Sequence, residues 1–300
     1  MNRIFTYVIK PEDSGIMISE YLKIQGYSHN NLVSLKKIPE SILINNIWEY
    51  VNYQLKTDDI LTICLNDLEE ENNIEPVEYP LSIIYEDEDI LVLNKPAGMP
   101  IHPSQNNHTN TLANAVTYYY SSQKIPFTFR CINRLDRDTT GLTIIAKHII
   151  SGNILSDMVT RHEIKRQYLA ITEGTDMPDS GIVNAPIDRV CDSTIEREVN
   201  FSSGQCAVTH FEKIESNNIL NLIKLWLETG RTHQIRVHMQ YLGYPIIGDF
   251  LYYPVYTHIQ RQALHSYQLE FLHPITKIPL MFQAPLPEDM RSLFPNDLGF

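Results

Sequence analysis

The chain has 300 residues, 43% of them hydrophobic and 20% charged, with a formal net charge of −12 at pH 7. A chain of this length can bury one large hydrophobic core or two smaller ones. No apolar stretch is long enough to cross a bilayer and the N-terminus lacks a signal-peptide core, so we predict a cytoplasmic protein without a membrane partner. The four cysteines form no close pair, which favours reduced thiols over a disulfide or zinc framework.

Residues 1–75 are predicted to form a small N-terminal α/β domain. The expected elements are a strand over 3–10, helices over 15–25 and 30–37, and strands over 41–45 and 59–65. The first helix follows from apolar residues that recur on one side at spacings of four and three. Ser28 precedes the second helix and is its expected N-cap. The acidic segment 66–76 is poor in apolar residues and is interpreted as the linker to the next domain.

From residue 80 the pattern changes to many strands, so residues 76–300 are predicted to form a second domain. Strands are expected over 82–94 (two, around an acidic turn), 141–147, 167–173, 207–214, 221–229, 263–274 and 278–287. Segment 95–111 is rich in Pro, Gly and Asn and is predicted to be a loop, of a length that often carries function. A helix is expected over 232–243, with Thr232 as its N-cap and Gly243 just past its end.

The charge is unevenly distributed along the chain. The acidic total argues against a nucleic-acid partner. Residues 129–166, however, carry seven lysines and arginines against four acidic residues. A local basic surface can bind phosphate groups, although a solvent-exposed charged face explains the same counts.

The stretch NRLDRDTTG at 133–141 places Asp136 between Arg134 and Arg137. An ionised carboxylate that is removed from water must be paired, whereas an exposed turn needs no such partners. The motif therefore indicates either an Asp held ionised for chemistry or a turn with incidental charges. Asp138 precedes Thr-Thr-Gly, so a turn residue is favoured over a second catalytic carboxylate.

The stretch LETGRTHQIRVH at 227–238 contains Arg231 and Arg236 on either side of the predicted helix start. Guanidinium groups beside helix N-terminal amides suit a phosphate or carboxylate, but a capped helix with surface arginines fits this spacing better. His233 and His238 are five residues apart, about 140° around a helix, so they do not share a face. No metal site is predicted from them.

Tyr168 is the third candidate position. It lies in a predicted strand close to Lys165 and Arg166. A half-buried tyrosine beside basic residues can serve as a stacking platform for a base. Taken alone, such a residue is more often part of the core.

Five segments, in this order, are similar to the motifs of the RluA-type pseudouridine synthase family. They are IIYEDEDILVLNKPAGMPIHPS (83–104), NRLDRDTTG (133–141), YLAITEG (168–174), LETGRTHQIRVHMQYLGYPIIGDFLY (227–252) and LHSYQLEFLHP (264–274). The chain thus resembles this family over nearly its full length. It departs from the family pattern where Asn133 replaces His, Thr140 replaces Ser and Arg166 replaces Lys.

The resemblance implies an α+β fold in which the catalytic domain is a mixed, mostly antiparallel β-sheet with a central cleft. It also implies isomerisation of uridine to pseudouridine in RNA without a metal or cofactor, with ribosomal RNA the first expectation and transfer RNA the second. Carried over by motif, Asp136 is the catalytic carboxylate and Tyr168 stacks on the target base. Arg236 is the basic partner of Asp136, and Ile235 is the adjacent apolar contact.

The basic side chains of these motifs are the candidates for RNA contacts: Arg134, Arg137, Lys165, Arg166, Arg231 and His233. Arg134 shares a motif with Asp136, so it is expected to help displace or hold the flipped-out nucleotide. Residues 1–75 are similar to the small S-four-like RNA-binding domain, although Asn45-Asn46 stands where Asn-Gly is usual and the unit is acidic. This domain either binds RNA or only docks on the catalytic domain.

Two other functions stay open at the level of the sequence. A non-catalytic RNA-binding or ribosome-assembly factor of the same fold is consistent with the changes at positions 133 and 140. A carboxylate glycosidase acting on small sugars would need a second acid that the sequence does not offer. We expect a monomer in either case.

Overall fold

The computed structural model describes residues 2–66, 74–104, 107–217 and 219–294. Within these residues the N-terminal part forms a four-stranded antiparallel sheet in the order β1-β4-β2-β3. Its strands are β1 (Asn2–Val8), β2 (Ile42–Ile44), β3 (Ile47–Trp48) and β4 (Ile60–Asn66), and its helices are α1 (Ile18–Ile24) and α2 (His29–Lys37). The predicted linker falls largely on residues 67–73, which lie outside the described part of the chain.

Local sequence signals explain two features of this N-terminal unit. The Ser28 side chain accepts a hydrogen bond from the Asn31 amide, which confirms Ser28 as the N-cap of α2. The β2–β3 hairpin turns at Asn45 and Asn46, whose φ angles are 51° and 67°. Asparagine tolerates this left-handed region, so the pair can replace the usual Asn-Gly.

The remaining strands form one large sheet in the order β5-β6-β7-β14-β8-β13-β12-β9, with β15 paired to β14. They are β5 (Ile83–Glu86), β6 (Ile90–Lys95), β7 (Thr140–Ala146), β8 (Lys165–Glu173), β9 (Ser180–Asn184), β12 (Val208–Asn217), β13 (Leu220–Leu227), β14 (Leu264–Leu272) and β15 (Pro279–Gln283). A separate hairpin joins β10 (Ile187–Arg189) to β11 (Arg197–Val199). Among the described pairs of the large sheet, β7–β14 alone is parallel, so the expected mixed, mostly antiparallel sheet is confirmed.

Helices lie beside this sheet, and three of them were not expected from the sequence. They are α3 (Leu112–Ser122), α4 (Ile149–Thr160) and the short α6 (Glu288–Arg291), in addition to the expected α5 (Gln234–Tyr241). Thr111 caps α3, and Tyr120 of α3 stacks on Phe127 with ring centroids 4.3 Å apart. Among the described residues, no helix is both long and apolar enough to cross a membrane.

The N-terminal unit packs against the large sheet through a shared hydrophobic core. Phe5 and Leu22 belong to the same buried cluster as Ile90 and Leu155. At the edge of this interface, Arg3 Nε donates to Asp89 Oδ1 over 2.9 Å. The two parts are therefore joined by apolar burial and by at least one ion pair.

Candidate active site

The central cleft forms where the sheet brings three distant segments together. β14 lies between β7 and β8, so the loop that enters β7 and the side chains of β8 stand close to each other. Gly141 makes this possible, since its φ is +107° and a Cβ there would collide with the backbone of Ser266 on β14. The start of α5 supplies the third side. The cleft is lined by Arg134, Leu135, Asp136, Thr139, Tyr168, Leu227, Arg231, His233, Gln234, Ile235, Arg236 and Leu264.

An ion pair between Asp136 and Arg236 lies at the centre of this cleft. Arg236 Nη1 donates to Asp136 Oδ2 over 2.8 Å, although the two residues are 100 positions apart in the chain. The Arg236 side chain is 1% exposed, whereas that of Asp136 is 30% exposed. One carboxylate face is thus held by a buried cation while the other remains open to the cleft.

Asp249 holds the Arg236 guanidinium from the opposite side. Its two carboxylate oxygens accept from Nε and Nη2 over 2.6 and 2.7 Å, and both side chains are 1% exposed. The rings of Phe250 and Tyr252 lie 5.4 and 4.9 Å from the guanidinium carbon. Burial by itself would lower the pKa of Arg236, but the two carboxylates outweigh it and raise that pKa. Arg236 is therefore a permanent, fixed cation.

The two arginines that flank Asp136 in sequence do not pair with it. Arg137 donates to Asp138, with its Nη2 2.7 Å from Oδ2. Arg134 is exposed and lines the cleft. Asp138 thus behaves as the turn residue that was favoured, and the countercharge for Asp136 comes from α5.

His233 stands at the start of α5 and faces Asp136. It occupies the N-cap position that was predicted for Thr232, with a left-handed φ of 57°. Its Nδ1 lies 2.9 Å from the Tyr252 hydroxyl, and its Nε2 lies 3.9 Å from Asp136 Oδ1. Burial lowers the pKa of His233, with Asp136 acting in the opposite sense. The predicted helix end is correct, because Gly243 follows α5 with a φ of +84°.

Apolar side chains form the walls around these charges. Tyr168 on β8 is 6% exposed, and burial raises the pKa of its hydroxyl. Ile235 is 5% exposed and lies beside it in the lining of the same cleft. The cavity measures only about 60 Å³, well below the ~300–1,000 Å³ usual for ligand pockets. A nucleotide bound here would therefore need further walls from the protein or from the RNA itself.

Comparison with known proteins identifies the family to which this cleft belongs. The family model described as RNA pseudouridylate synthase matches residues 89–241, which include Asp136, Tyr168 and Arg236. The chain belongs to the RNA pseudouridine synthase family. It is an enzyme that isomerises uridine to pseudouridine in RNA.

Individual relatives support this assignment over most of the chain. The uncharacterised RNA pseudouridine synthase YjbO of Bacillus subtilis strain 168 is 40% identical over 280 residues, which cover 93% of this chain and 99% of that protein. The ribosomal large subunit pseudouridine synthase D of Escherichia coli strain K12 is 38% identical over 245 residues, covering 76% and 73%. The structure of human RNA pseudouridylate synthase domain containing 1 superposes with a TM-score of 0.60 at 25% identity, covering 74% and 89%.

The structure brings only some of the RNA-contact candidates to the cleft. Arg134, Arg231 and His233 line it, and Arg137 lies at its rim with its guanidinium carbon 5.3 Å from the Phe250 ring. Lys165 is 74% exposed and lies 3.7 Å from a carboxylate oxygen of Glu270, away from the cleft lining.

Arg166 is also absent from the cleft lining. A Cβ added at Gly230 would lie 3.2 Å from Arg166 Nη1, so its guanidinium reaches the segment before α5. Because side chains alternate along a strand, Arg166 leaves β8 on the same face as Tyr168, and Lys165 leaves it on the opposite face. Burial raises the pKa of the Tyr168 hydroxyl, and the charge of Arg166 acts to lower it.

Two supporting residues were not recognised in the sequence. Asp249 lies within the segment 227–252, but nothing in its spacing pointed to Arg236. Lys95 ends the buried strand β6 and is 1% exposed. Its ammonium donates to the carbonyl oxygens of Pro96, Met99 and Arg137 over 2.8–2.9 Å, so it ties the 95–111 segment to the loop that carries Asp136.

One cluster of potential metal ligands occurs among the described residues. It consists of Asp87, Asp89 and His273. Asp89 accepts from His148 and from Arg3 over 2.9 Å each, and His273 Nε2 lies 2.8 Å from Asp87. These side chains satisfy one another at the interface with the N-terminal unit, so protein donors already occupy them.

Proposed function

We propose that Asp136 is the catalytic carboxylate of this pseudouridine synthase. Arg236 holds it in position and supplies its countercharge. The observation that carries this proposal is the 2.8 Å pair between a partly exposed carboxylate and a fully buried guanidinium. Asp249 engages the other edge of the same guanidinium. Two carboxylates on one buried cation give the reactive one a defined position.

The reaction requires an ionised carboxylate in a fixed position. The glycosidic bond between uracil and ribose is broken, the uracil turns, and a new bond forms through its carbon five. A carboxylate can attack the sugar or remove a proton from it only when it is ionised. A charge-assisted bond to Arg236 supplies the countercharge while leaving the second oxygen of Asp136 facing the cleft.

Tyr168 and Ile235 are proposed to hold the uracil. The target base has to leave the RNA stack to reach Asp136, which costs a few kcal/mol. Stacking on an aromatic ring returns about 1–3 kcal/mol per base. The low exposure of both side chains provides an apolar surface on which a detached uracil can turn without escaping to water.

The RNA substrate is proposed to be ribosomal RNA, with transfer RNA the next candidate. Support for this order comes from the relative named for the large ribosomal subunit. The enzyme is then expected in the cytoplasm, where these RNAs are modified. Residues 76–300 are proposed as the catalytic domain and residues 1–75 as a domain docked on it.

Two of the three departures from the family pattern, at positions 133 and 140, leave this cleft intact. Asn133 is buried, donates to the Leu142 carbonyl over 3.0 Å and accepts from the Ile144 amide over 2.8 Å. The Thr140 hydroxyl lies 2.8 Å from His265 Nδ1. Both residues support β7 from outside the cleft lining. They therefore give no reason to prefer a non-catalytic RNA-binding factor.

Mapping of pseudouridine across total RNA tests the proposal. RNA is compared from the source organism with the gene, without it, and with it restored as wild type or as Asp136→Ala. One or a few sites should be lost on deletion and regained only with the wild type. Restoration by Asp136→Ala would refute the role of Asp136, and an unchanged map would refute the proposed substrates.

A further inference from the structure

A second cavity lies next to the central cleft, between the β10–β11 hairpin and the segment that precedes α5. Its volume is about 320 Å³. Three arginines line it, Arg189 and Arg197 from the hairpin and Arg231 from the segment before α5, and we call it the arginine pocket. Gln205, Thr232 and Asp188 also contribute to its walls. Such a concentration of positive charge is unusual in a chain whose net charge is −12.

The strand register sets two of these arginines against each other. Arg189 and Arg197 are direct partners in the antiparallel β10–β11 ladder. Side chains of directly opposite residues leave the ladder on the same face, and like charges there destabilise the pair. The repulsion has no benefit for the fold of a three-residue ladder. It is relieved when an anion binds between the two guanidinium groups.

The guanidinium groups of Arg197 and Arg231 are held by backbone carbonyls but are not neutralised. Arg197 Nη1 donates to the backbone carbonyls of Ile195 and Glu196, and Arg231 Nε donates to that of Cys206. Across the described ranges, no carboxylate oxygen lies within ion-pair distance of Arg189, Arg197 or Arg231. An arginine has five N–H donors, so several remain for a ligand.

Asp188 is the acidic group in the pocket, and its oxygens already have donors. The Ser203 hydroxyl donates to Oδ2 over 2.5 Å, and the Arg189 amide donates to Oδ1 over 2.7 Å. The Ser203 bond is the largest cause of the lowered pKa of Asp188, with smaller effects from Arg197 and Arg189. The pocket keeps a net positive charge with this aspartate ionised.

The arginine pocket lies next to the central cleft. Arg231 lines both cavities, and Thr232 of the pocket is followed directly by His233 of the cleft. The hairpin is also linked to the cleft through the Tyr252 hydroxyl, which accepts from the Arg197 amide over 2.9 Å and lies 2.9 Å from His233 Nδ1. A strand with one nucleotide in the cleft would therefore place a neighbouring phosphate in the pocket.

We infer that the arginine pocket is a subsite for a phosphodiester of the RNA strand next to the target uridine. The planar guanidinium fork matches the two free oxygens of a phosphodiester. The pocket also supplies the binding surface that the small cleft lacks. The assignment of this ligand rests on the proposed function, because proximity to a uridine site selects a phosphodiester over other anions.

Salt-dependent binding of a fluorescent 12-nucleotide oligouridylate tests the subsite. Loss of phosphate contacts lowers the slope of log affinity against log salt by about 0.7 per contact on a single strand. The double variant Arg189→Gln/Arg197→Gln should thus show a slope reduced by about 1.4 and weaker binding at low salt. Arg161→Gln/Lys124→Gln removes the same charge from exposed positions elsewhere and should keep the wild-type slope.

Two results would overturn the inference. One is a slope equal to that of the control variant, and the other is no detectable oligouridylate binding by the wild type at ~10 mM KCl, where charges are little screened. Melting temperatures serve only to show that each variant is folded, because Arg197 also donates to two backbone carbonyls. Arg189→Lys/Arg197→Lys should retain the wild-type slope because it preserves the charge.

These experiments distinguish a failure of the subsite inference from a failure of the proposed function. A reduced slope together with an unchanged pseudouridine map would leave the pocket as a site for an RNA strand and refute the proposed function. A lost and restored pseudouridine together with an unchanged slope would refute only the subsite. The oligouridylate assay needs no knowledge of the natural target.

Discussion

Replacing Asp249 by asparagine is the most direct test of how the cleft is organised. Asp249 and Arg236 are both buried and are joined by two hydrogen bonds of 2.6 and 2.7 Å. The variant keeps the size of the side chain, but its amide cannot accept from both guanidinium nitrogens. Arg236 would then keep Asp136 as its remaining carboxylate partner.

The expected loss of stability follows from burial. Removing one partner of a buried ion pair costs about 3–5 kcal/mol when the other charge is left uncompensated. Because Arg236 keeps Asp136 as a partner, we expect a loss near the lower end of this range. Asp289 offers a matched control, because Arg261 donates to both of its oxygens over 2.7 Å while its side chain is 44% exposed. An exposed pair contributes about 0–1 kcal/mol, so Asp289→Asn should barely change the free energy of unfolding.

The expected loss of activity follows from position. A guanidinium freed from Asp249 no longer fixes Asp136, and a displacement of about 1 Å at the reacting group can reduce the rate ~10²-fold. Denaturant unfolding and single-turnover pseudouridine formation, on the RNA identified by mapping, measure the two effects. The reasoning is refuted if Asp249→Asn unfolds like Asp289→Asn and retains wild-type turnover.

Three further changes test the remaining parts of the site. Arg236→Ala should reduce pseudouridine formation by at least ~10²-fold but leave RNA affinity nearly intact in a binding titration, because one guanidinium is a small share of the phosphate contacts. Lys95→Met removes the donor to three carbonyl oxygens, in one buried and two partly buried hydrogen bonds, and should lower the free energy of denaturant unfolding by about 1–3 kcal/mol. His233→Gln should make the protein less sensitive to acid. The pKa of His233 is lowered from 6.5 by burial, so the unfolded chain binds the proton more readily, and wild-type stability declines as the pH falls from 6.5 through the lowered pKa. Melting temperatures of both proteins at several pH values between 5 and 7.5, a range that brackets the ordinary histidine pKa, should show the smaller decline in the variant.

Each of these three predictions is contradicted by a specific result. An affinity loss in proportion to the rate loss would make Arg236 an RNA contact. Lys165→Met, at a 74% exposed side chain, is the control for Lys95→Met, and equal effects would show that the three carbonyl bonds contribute little. Parallel acid profiles for wild type and His233→Gln would mean that burial does not control this imidazole.

Many elements were predicted correctly because the residues that start or end them act on near neighbours in the chain. Ser28 caps α2 through a hydrogen bond to a residue three positions away. Gly243 ends α5 because it can adopt a φ of +84°. Helix α3 was missed for the opposite reason. Its Val, Thr and Tyr residues have weak helix propensity, and burial against the large sheet overrides that preference.

The sequence by itself determined the chemistry that is available, through the motifs that carry Asp136, Tyr168 and Arg236. Only the tertiary structure decided how those groups are supported. Asp249 contacts Arg236, and Lys95 contacts the Arg137 carbonyl, only because folding brings these residues together, and no local period encodes a contact of that kind. Arg189 and Arg197 likewise face each other only because of the register of one hairpin. Position in a site is a property of packed elements, because the fold sets the distances over which charges and hydrogen bonds act.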